Sequence, residues 1–264
     1  MSLVSDVFAA AKAESRAALV GYLPAGFPTV QGSKEHLRSM VESGCDLIEV
    51  GLPYSDPVMD GPTIQAAAEQ ALAAGFRVRD VFDVVSAVAD AGGRAVVMTY
   101  WNPVLKYGVD AFARDLAAAG GLGLITPDLV PDEAADWMAA SEAHGLDRVF
   151  LVAPSSTEDR IEMTARASSG FLYATAVMGV TGARDVVSSA APELVARVRA
   201  HSSIPVGVGL GVKSGAQAAE IAGFADGVIV GSAFVSAVVE GGDAAVRALA
   251  ADLAKGVRSA AATV

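Results

Sequence analysis

The stretch Leu47–Gln65, LIEVGLPYSDPVMDGPTIQ, places two carboxylates where they can act together. Glu49 falls near the end of a short apolar run, and Asp60 on the loop that follows, punctuated by Pro53, Pro57, Gly61 and Pro62. A helical pattern begins after that loop. A carboxylate at the carboxyl end of a parallel strand, with a second on the next loop, suits proton transfer without a metal. Along a strand, Leu47 and Glu49 share one face while Ile48 and Val50 share the other. If Glu49 points inward among apolar walls, burial raises its pKa into the range useful for acid–base work. The bland alternative is an acid neutralised by a buried base, although no Lys or Arg lies near it in sequence. For Asp60 the bland alternative is a helix N-cap, since Gly-Pro and a helix follow it. Asp56, after Ser55, reads either as a solvated turn residue or as a partner contact.

A second group of residues suits an anion. Gly207, Gly209 and Gly211 lie in VGVGLGVKS, and Gly231 and Ser232 in IVGSAF, each at the end of an apolar run and before a helix. Glycines let backbone N–H groups approach an anion, and helix N-termini favour negative charge. The turn GVTG, at 179–182, adds a third such loop. The plain alternative is that these glycines only make tight turns. A dinucleotide fingerprint is rejected, because the full GxGxxG spacing is absent and the motif falls late in the chain. Tyr22, Tyr100 and Tyr173 each fall at or just after a strand end, where they would wall a flat apolar substrate or simply cap the core. Asp128, in TPDLVP, is a weaker candidate. His36, His144 and His201 sit away from the strand ends, without metal-ligand spacing, and read as surface residues. Cys45 reads as a small buried apolar residue.

These residues need a scaffold that brings strand ends together. Short apolar runs recur at Ala18–Tyr22, Asp46–Val50, Ala95–Thr99, Leu122–Thr126, Arg148–Val152, Phe171–Thr175, Pro205–Gly209 and Asp226–Val230. Helical periodicity fills the intervals, at Ser33–Ser43, Val78–Ala91, Asp110–Ala119, Asp132–Ala143, Thr157–Ala167, Glu193–Ala200 and Ser214–Ala222. Short apolar strands alternating with helices imply a parallel sheet covered on both faces. Eight such units without a linker predict one closed (β/α)8 barrel, a TIM barrel, over residues 1–264. A doubly wound open sheet is the rival. The longest intervals follow strands two and six, so the loops there, the second being Met178–Ala190, are expected to close over a substrate.

Composition limits the partners. The chain has 264 residues, 53% hydrophobic and 19% charged, enough to bury a core without disulfides. A formal net charge of −11 and the lack of a basic cluster exclude nucleic acid as a partner. No apolar run approaches the roughly 20 residues that span a bilayer. With one cysteine and no signal-like start, the expected compartment is the cytoplasm.

At this point the motifs converge on a family. IEVGLPYSDPVMDGPTIQ resembles the signature of the alpha subunit of tryptophan synthase. The resemblance continues through GYLPAGFP, TYWNPVLKYG, PDLVPDE, GVTGAR, VGLGVKS and VGSAFV, in the family's order. It implies a lyase of tryptophan biosynthesis, cleaving indole-3-glycerol phosphate to indole and glyceraldehyde 3-phosphate. It places the general acid–base on Glu49 and the carboxylate that meets the indole N–H on Asp60. Tyr173 matches a tyrosine near the substrate, and Gly182, Gly211, Gly231 and Ser232 match the phosphate cradle. Thr181 matches the loop residue that meets Asp60 on closure, and Asp56 a position facing the beta subunit. The implied assembly is an alpha-beta-beta-alpha heterotetramer, with pyridoxal phosphate on the beta partner and no cofactor here. This chain departs from the family at Tyr22, where many members carry Phe, and at ATAVM before GVTG. Another phosphate-binding barrel, an isomerase or synthase, is the alternative enzyme, although such enzymes usually place a Lys at a strand top. A non-catalytic phosphate-binding activator subunit is the other alternative; the Glu49–Asp60 pair argues against it.

Overall fold

A computed structural model describes residues 3–175, 190–209 and 211–259. The expected lid over Met178–Ala190, apart from Ala190 itself, lies outside the described residues, as do Thr181, Gly182 and the tail Ala260–Ala262.

Helix α1 (Leu3–Ala13) precedes β1 (Ala18–Pro24). There follow α2 (Val30–Glu42), β2 (Leu47–Gly51), α3 (Pro62–Ala73), α4 (Asp80–Asp90), β3 (Ala95–Met98), α5 (Trp101–Tyr107), α6 (Val109–Ala118) and β4 (Gly123–Ile125). A 3-10 turn (Pro131–Glu133) leads to α7 (Ala135–His144), β5 (Asp147–Val149), β6 (Leu151–Val152), α8 (Glu158–Ala167) and β7 (Leu172–Thr175). The chain continues with α9 (Ala190–His201), β8 (Val206–Gly209), α10 (Gly215–Ala222), β9 (Gly227–Val230) and α11 (Ser232–Ser259). The extra length after β2 is therefore not all loop: α3 and α4 occupy most of it.

All paired strands are parallel, in the order β5-β4-β3-β2-β1-β9-β8-β7-β6. β5 and β6 are two pieces of one stave around Phe150. Val149 O accepts from Thr126 N–H at 3.2 Å on one side, and Phe150 O from Tyr173 N–H at 3.1 Å on the other. That stave joins the two ends of the sheet, so eight staves close a TIM barrel and leave no free edge.

The side-chain alternation decides what faces the axis. Val20, Leu47, Val96, Ile125, Val149, Phe171 and Ile229 form one buried cluster inside the barrel. Val4, Phe8 and Ala11 of α1 join it, and the Phe8 ring lies 5.1 Å from that of Phe171. Thus α1 plugs the barrel floor. Ile48 and Val50 belong to the larger cluster between sheet and helices.

Acids at the strand starts are structural. Asp46 accepts from Leu19 N–H at 2.8 Å and holds the Arg16 guanidinium by two bonds of 2.7 and 2.9 Å. Asp226 accepts from Val206 N–H at 2.9 Å, and Asp147 from Val4 N–H at 3.1 Å. Each ties a neighbouring segment to the barrel's lower rim. Cys45 is buried as expected, and burial pushes its thiol up.

His36 is not the surface residue its sequence position suggested. It is buried where α2 packs on α11, with Nδ1 3.6 Å from Asp243 Oδ1. Asp243 also accepts from Ser39 Oγ. His144 and His201 instead bond to Asp110 and Glu158 at 2.9 and 2.7 Å on outer helices. Among the described residues no helix is long and apolar enough to cross a membrane.

Candidate active site

Glu49 sits on β2 with Leu47 and Gly51 on the same inward face, directly beside Tyr22 of β1 and Val96 of β3. It is 1% exposed. Its Oε2 has no hydrogen-bond partner among the described residues, and no base neutralises it. Burial first, and the nearby Asp60 second, push its pKa up to about 8. A carboxyl that keeps its proton at neutral pH is a ready acid, and its conjugate base is strong enough to recover a proton.

Asp60 is not the N-cap of α3. That place is taken by Gly61, without a side-chain bond, and Pro62 opens the helix. The Asp60 side chain is left half-buried beside the Tyr100 hydroxyl. Burial raises its pKa above the ordinary aspartate value, and the Tyr100 hydroxyl holds that rise back. The same hydroxyl accepts from the backbone N–H groups of Val58 and Met59, at 3.0 Å each. Gln65 Nε2 adds a 2.7 Å bond to Asp60 O. The loop carrying the second carboxylate is thereby fastened to the top of the β3 stave.

The three tyrosines converge on this pair. Tyr22 feels both Glu49 and Asp60, and so does Tyr173; burial first, and those carboxylates second, push both hydroxyls well above the ordinary phenol value. The Tyr22 ring crosses three staves. A Cβ on Gly51 would lie 2.4 Å from its hydroxyl, and one on Gly231 3.3 Å from its Cδ1. A Cβ on Gly209 would lie 2.5 Å from the Tyr173 hydroxyl. Only glycine admits the Tyr22 and Tyr173 hydroxyls so close to the strand backbone. The result is a mouth walled by aromatic faces around two acids. Tyr100 does more than wall it, since its hydroxyl organises the loop.

The glycine turns open at the same end. β8 and β9 pair side by side, with Gly209 opposite Ile229, and β9 pairs with β1. In a wholly parallel barrel the ends of these strands share one rim with the end of β2. Gly211 has φ +66°, a left-handed conformation suited to glycine. Ser232 opens α11, whose first backbone bonds run from Phe234 and Val235 N–H back to Gly231 O. The N–H groups of Ser232 and Ala233 precede those bonds and face the rim. α10 is capped by Ser214, whose side chain accepts from Gln217 N–H.

Asp56 is exposed and accepts from Ser55 Oγ at 2.6 Å. Asp128, the weaker candidate, accepts from Trp101 N–H at 2.9 Å. Two further residues near the strand ends were not singled out. Tyr54 stacks on Tyr100 at 5.3 Å and accepts from Asn102 Nδ2 at 3.2 Å. Thr126, just after β4, buries a hydroxyl oxygen with no partner among the described residues. Tyr54 lay within the loop motif itself, so its aromatic type beside Pro53 was the available signal. Nothing in the sequence set Thr126 apart.

Comparison with known proteins agrees with this arrangement. A family model described as tryptophan synthase alpha chain matches residues 8–263. The tryptophan synthase alpha chain of Nocardia farcinica is 70% identical over 259 residues, 98% of this chain and 97% of that one. The alpha chain of Mycobacterium avium is 66% identical over 261 residues, 99% of this chain and 96% of its own. A structure of Mycobacterium tuberculosis tryptophan synthase superposes with a TM-score of 0.94 at 66% identity, covering 97% of this chain and 98% of that chain. Tryptophan synthase subunit alpha from Legionella pneumophila retains a TM-score of 0.86 at 32% identity, with 97% and 98% covered.

Proposed function

The chain belongs to the tryptophan synthase alpha chain family, and from that premise we propose how its residues divide the work of the alpha reaction. The substrate is indole-3-glycerol phosphate and the reaction a retro-aldol cleavage. Glu49 starts as a neutral acid and gives its proton to indole C3. Asp60, ionised, accepts from the indole N–H and stabilises the positive charge developing on the ring. The Glu49 carboxylate then takes the proton of the glycerol hydroxyl. As it does so, the C–C bond breaks, its electron pair returns to the ring, and the hydroxyl carbon becomes the aldehyde of glyceraldehyde 3-phosphate. Glu49 ends protonated, ready for another cycle.

Tyr22, Tyr100 and Tyr173 wall the flat ring. Gly211, Gly231 and Ser232 hold the phosphate, together with Gly182; Thr181 meets Asp60 when the loop after β7 closes. The observation that carries this reading is the buried, unpaired Glu49 beside Asp60 at the mouth that also holds the glycine turns.

The partner is the beta subunit, in an alpha-beta-beta-alpha complex that receives indole. Three of the four large apolar side chains exposed among the described residues, Val58, Leu105 and Val130, follow the consecutive staves β2, β3 and β4. Asp56 lies on the same sector. Such a patch supports docking of a protein on that side of the mouth. Pyridoxal phosphate belongs to the partner, this chain works without a cofactor, and its compartment is the cytoplasm. The test is indole release by the isolated chain and by the chain with a beta subunit. Release that rises with the partner is expected. No release under either condition would leave a phosphate-binding activator instead.

A further inference from the structure

We propose that Asp128 is a positioning residue for the alpha reaction: from the loop after β4 it holds the α5 N-terminus, and thereby the Tyr100 hydroxyl, in place against Asp60. This rests on the role given to Asp60 above.

Trp101 is the first residue of α5, and its N–H has no acceptor within the helix. The N-cap residue is Tyr100, which makes no side-chain cap bond because its side chain is committed to the loop after β2. The acceptor has to come from elsewhere, and Asp128 Oδ1 supplies it at 2.9 Å. A carboxylate there also complements the helix dipole. From the other side, Thr99 Oγ1 bonds to Tyr100 O at 3.0 Å, and Thr99 N–H to Ile125 O at 3.1 Å. The backbone that carries Tyr100 is therefore clamped from both flanks.

The hydroxyl at the far end has no slack. A phenol has one proton and two lone pairs. The oxygen accepts from Val58 and Met59 N–H, which leaves its one proton for the neighbouring Asp60 carboxylate. A movement of about 1 Å at the α5 N-terminus would carry these bonds beyond hydrogen-bonding reach. One chain of bonds thus runs from the β4 stave through β3 to the β2 loop. Asp128 is exposed at its outer edge, so its removal leaves the core untouched.

The pH behaviour separates positioning from mere support. Asp60 is faced by Tyr100, by Glu49 of β2, by Tyr22 of β1 and by Tyr173 of β7. Asp128 faces the Trp101 N–H and its own N–H. Without the Tyr100 bond Asp60 takes up its proton at higher pH.

The experiment measures indole release against pH, in the complex with the beta subunit, for Asp128→Ala, Tyr100→Phe, their double variant, Asp128→Asn and Asp60→Asn. Asp128→Ala is expected to lower kcat/KM about tenfold, the worth of one hydrogen bond, and to move the acid limb to higher pH as Tyr100→Phe does. Asp128→Asn, whose amide oxygen still accepts, restores most of the rate. The double variant is no worse than Tyr100→Phe alone. An unmoved acid limb in Asp128→Ala, or defects that multiply in the double variant, would overturn the inference while Asp60→Asn remains inactive. Wild-type activity in Asp60→Asn would remove the underlying reading instead.

Discussion

Glu49→Gln should make the protein more stable as it destroys its activity, and the gain should depend on pH. In the unfolded chain a glutamate ionises near 4.5, whereas burial holds the folded Glu49 proton until about 8. Below 4.5 both states carry the proton and Glu49 costs nothing. Between the two values the folded state binds the extra proton, so stability falls as pH rises. Above about 8 the loss is complete. At about 1.4 kcal/mol per pH unit the whole window amounts to about 5 kcal/mol, an upper figure because water entering the mouth relaxes it. Glutamine has the same shape and no charge, so it escapes this penalty. The assay is urea unfolding of wild type and Glu49→Gln at a series of pH values, compared at equal m. The two curves should run together at the acid end and separate by several kcal/mol at pH 9. A difference constant across the range would refute the claim that Glu49 is held neutral by burial.

Activity should follow the same two carboxylates. Indole release is expected to fall above about pH 8, as Glu49 loses its starting proton. It should also fall on the acid side at a pH above the ordinary aspartate value, as Asp60 becomes protonated; a profile flat from pH 5 to pH 10 would contradict both. Arg16→Ala strands the Asp46 carboxylate, since the Arg16 and Asp46 side chains are 7% and 16% exposed. A loss of about 3–5 kcal/mol is expected in denaturant unfolding, and a loss under about 1 would show the pair to be dispensable. Gly51→Ala puts a methyl 2.4 Å from the Tyr22 hydroxyl and 2.6 Å from its ring carbons. It should cost about 1–3 kcal/mol. Tyr22→Phe should not relieve it, because the ring stays, whereas the shorter side chain of Tyr22→Leu should.

Much of this was legible in the sequence because the barrel repeats one pattern. The run Pro205–Gly209 appears as Val206–Gly209, and Asp226–Val230 as Gly227–Val230, each displaced by one residue at its start. The initial Asp226 is a side-chain acceptor below its strand. The fifth strand divides at Phe150 because its two halves pair with different neighbours, which no local pattern encodes. Helix α1 was not anticipated as a barrel plug, since its role depends on Phe8 meeting Phe171 across the floor. His36 was misplaced because α2 is covered by α11, a contact between distant segments. At the site, strand alternation put Glu49 on the Leu47 face, and it is the closed barrel that turns that face inward. The surroundings of Asp60 were not legible: Tyr100 and Asp128 come from two other staves, and only the closed barrel brings them together. Thr181 and Gly182 lie outside the described residues.

The central claim is that Glu49 carries the proton. The measurement that meets it head-on is single-turnover cleavage by Glu49→Gln with substrate binding measured in the same sample. Substrate should bind as tightly as to wild type while the chemical step slows by about 10²–10⁴ or more. Cleavage at the wild-type rate, with substrate bound, would contradict it.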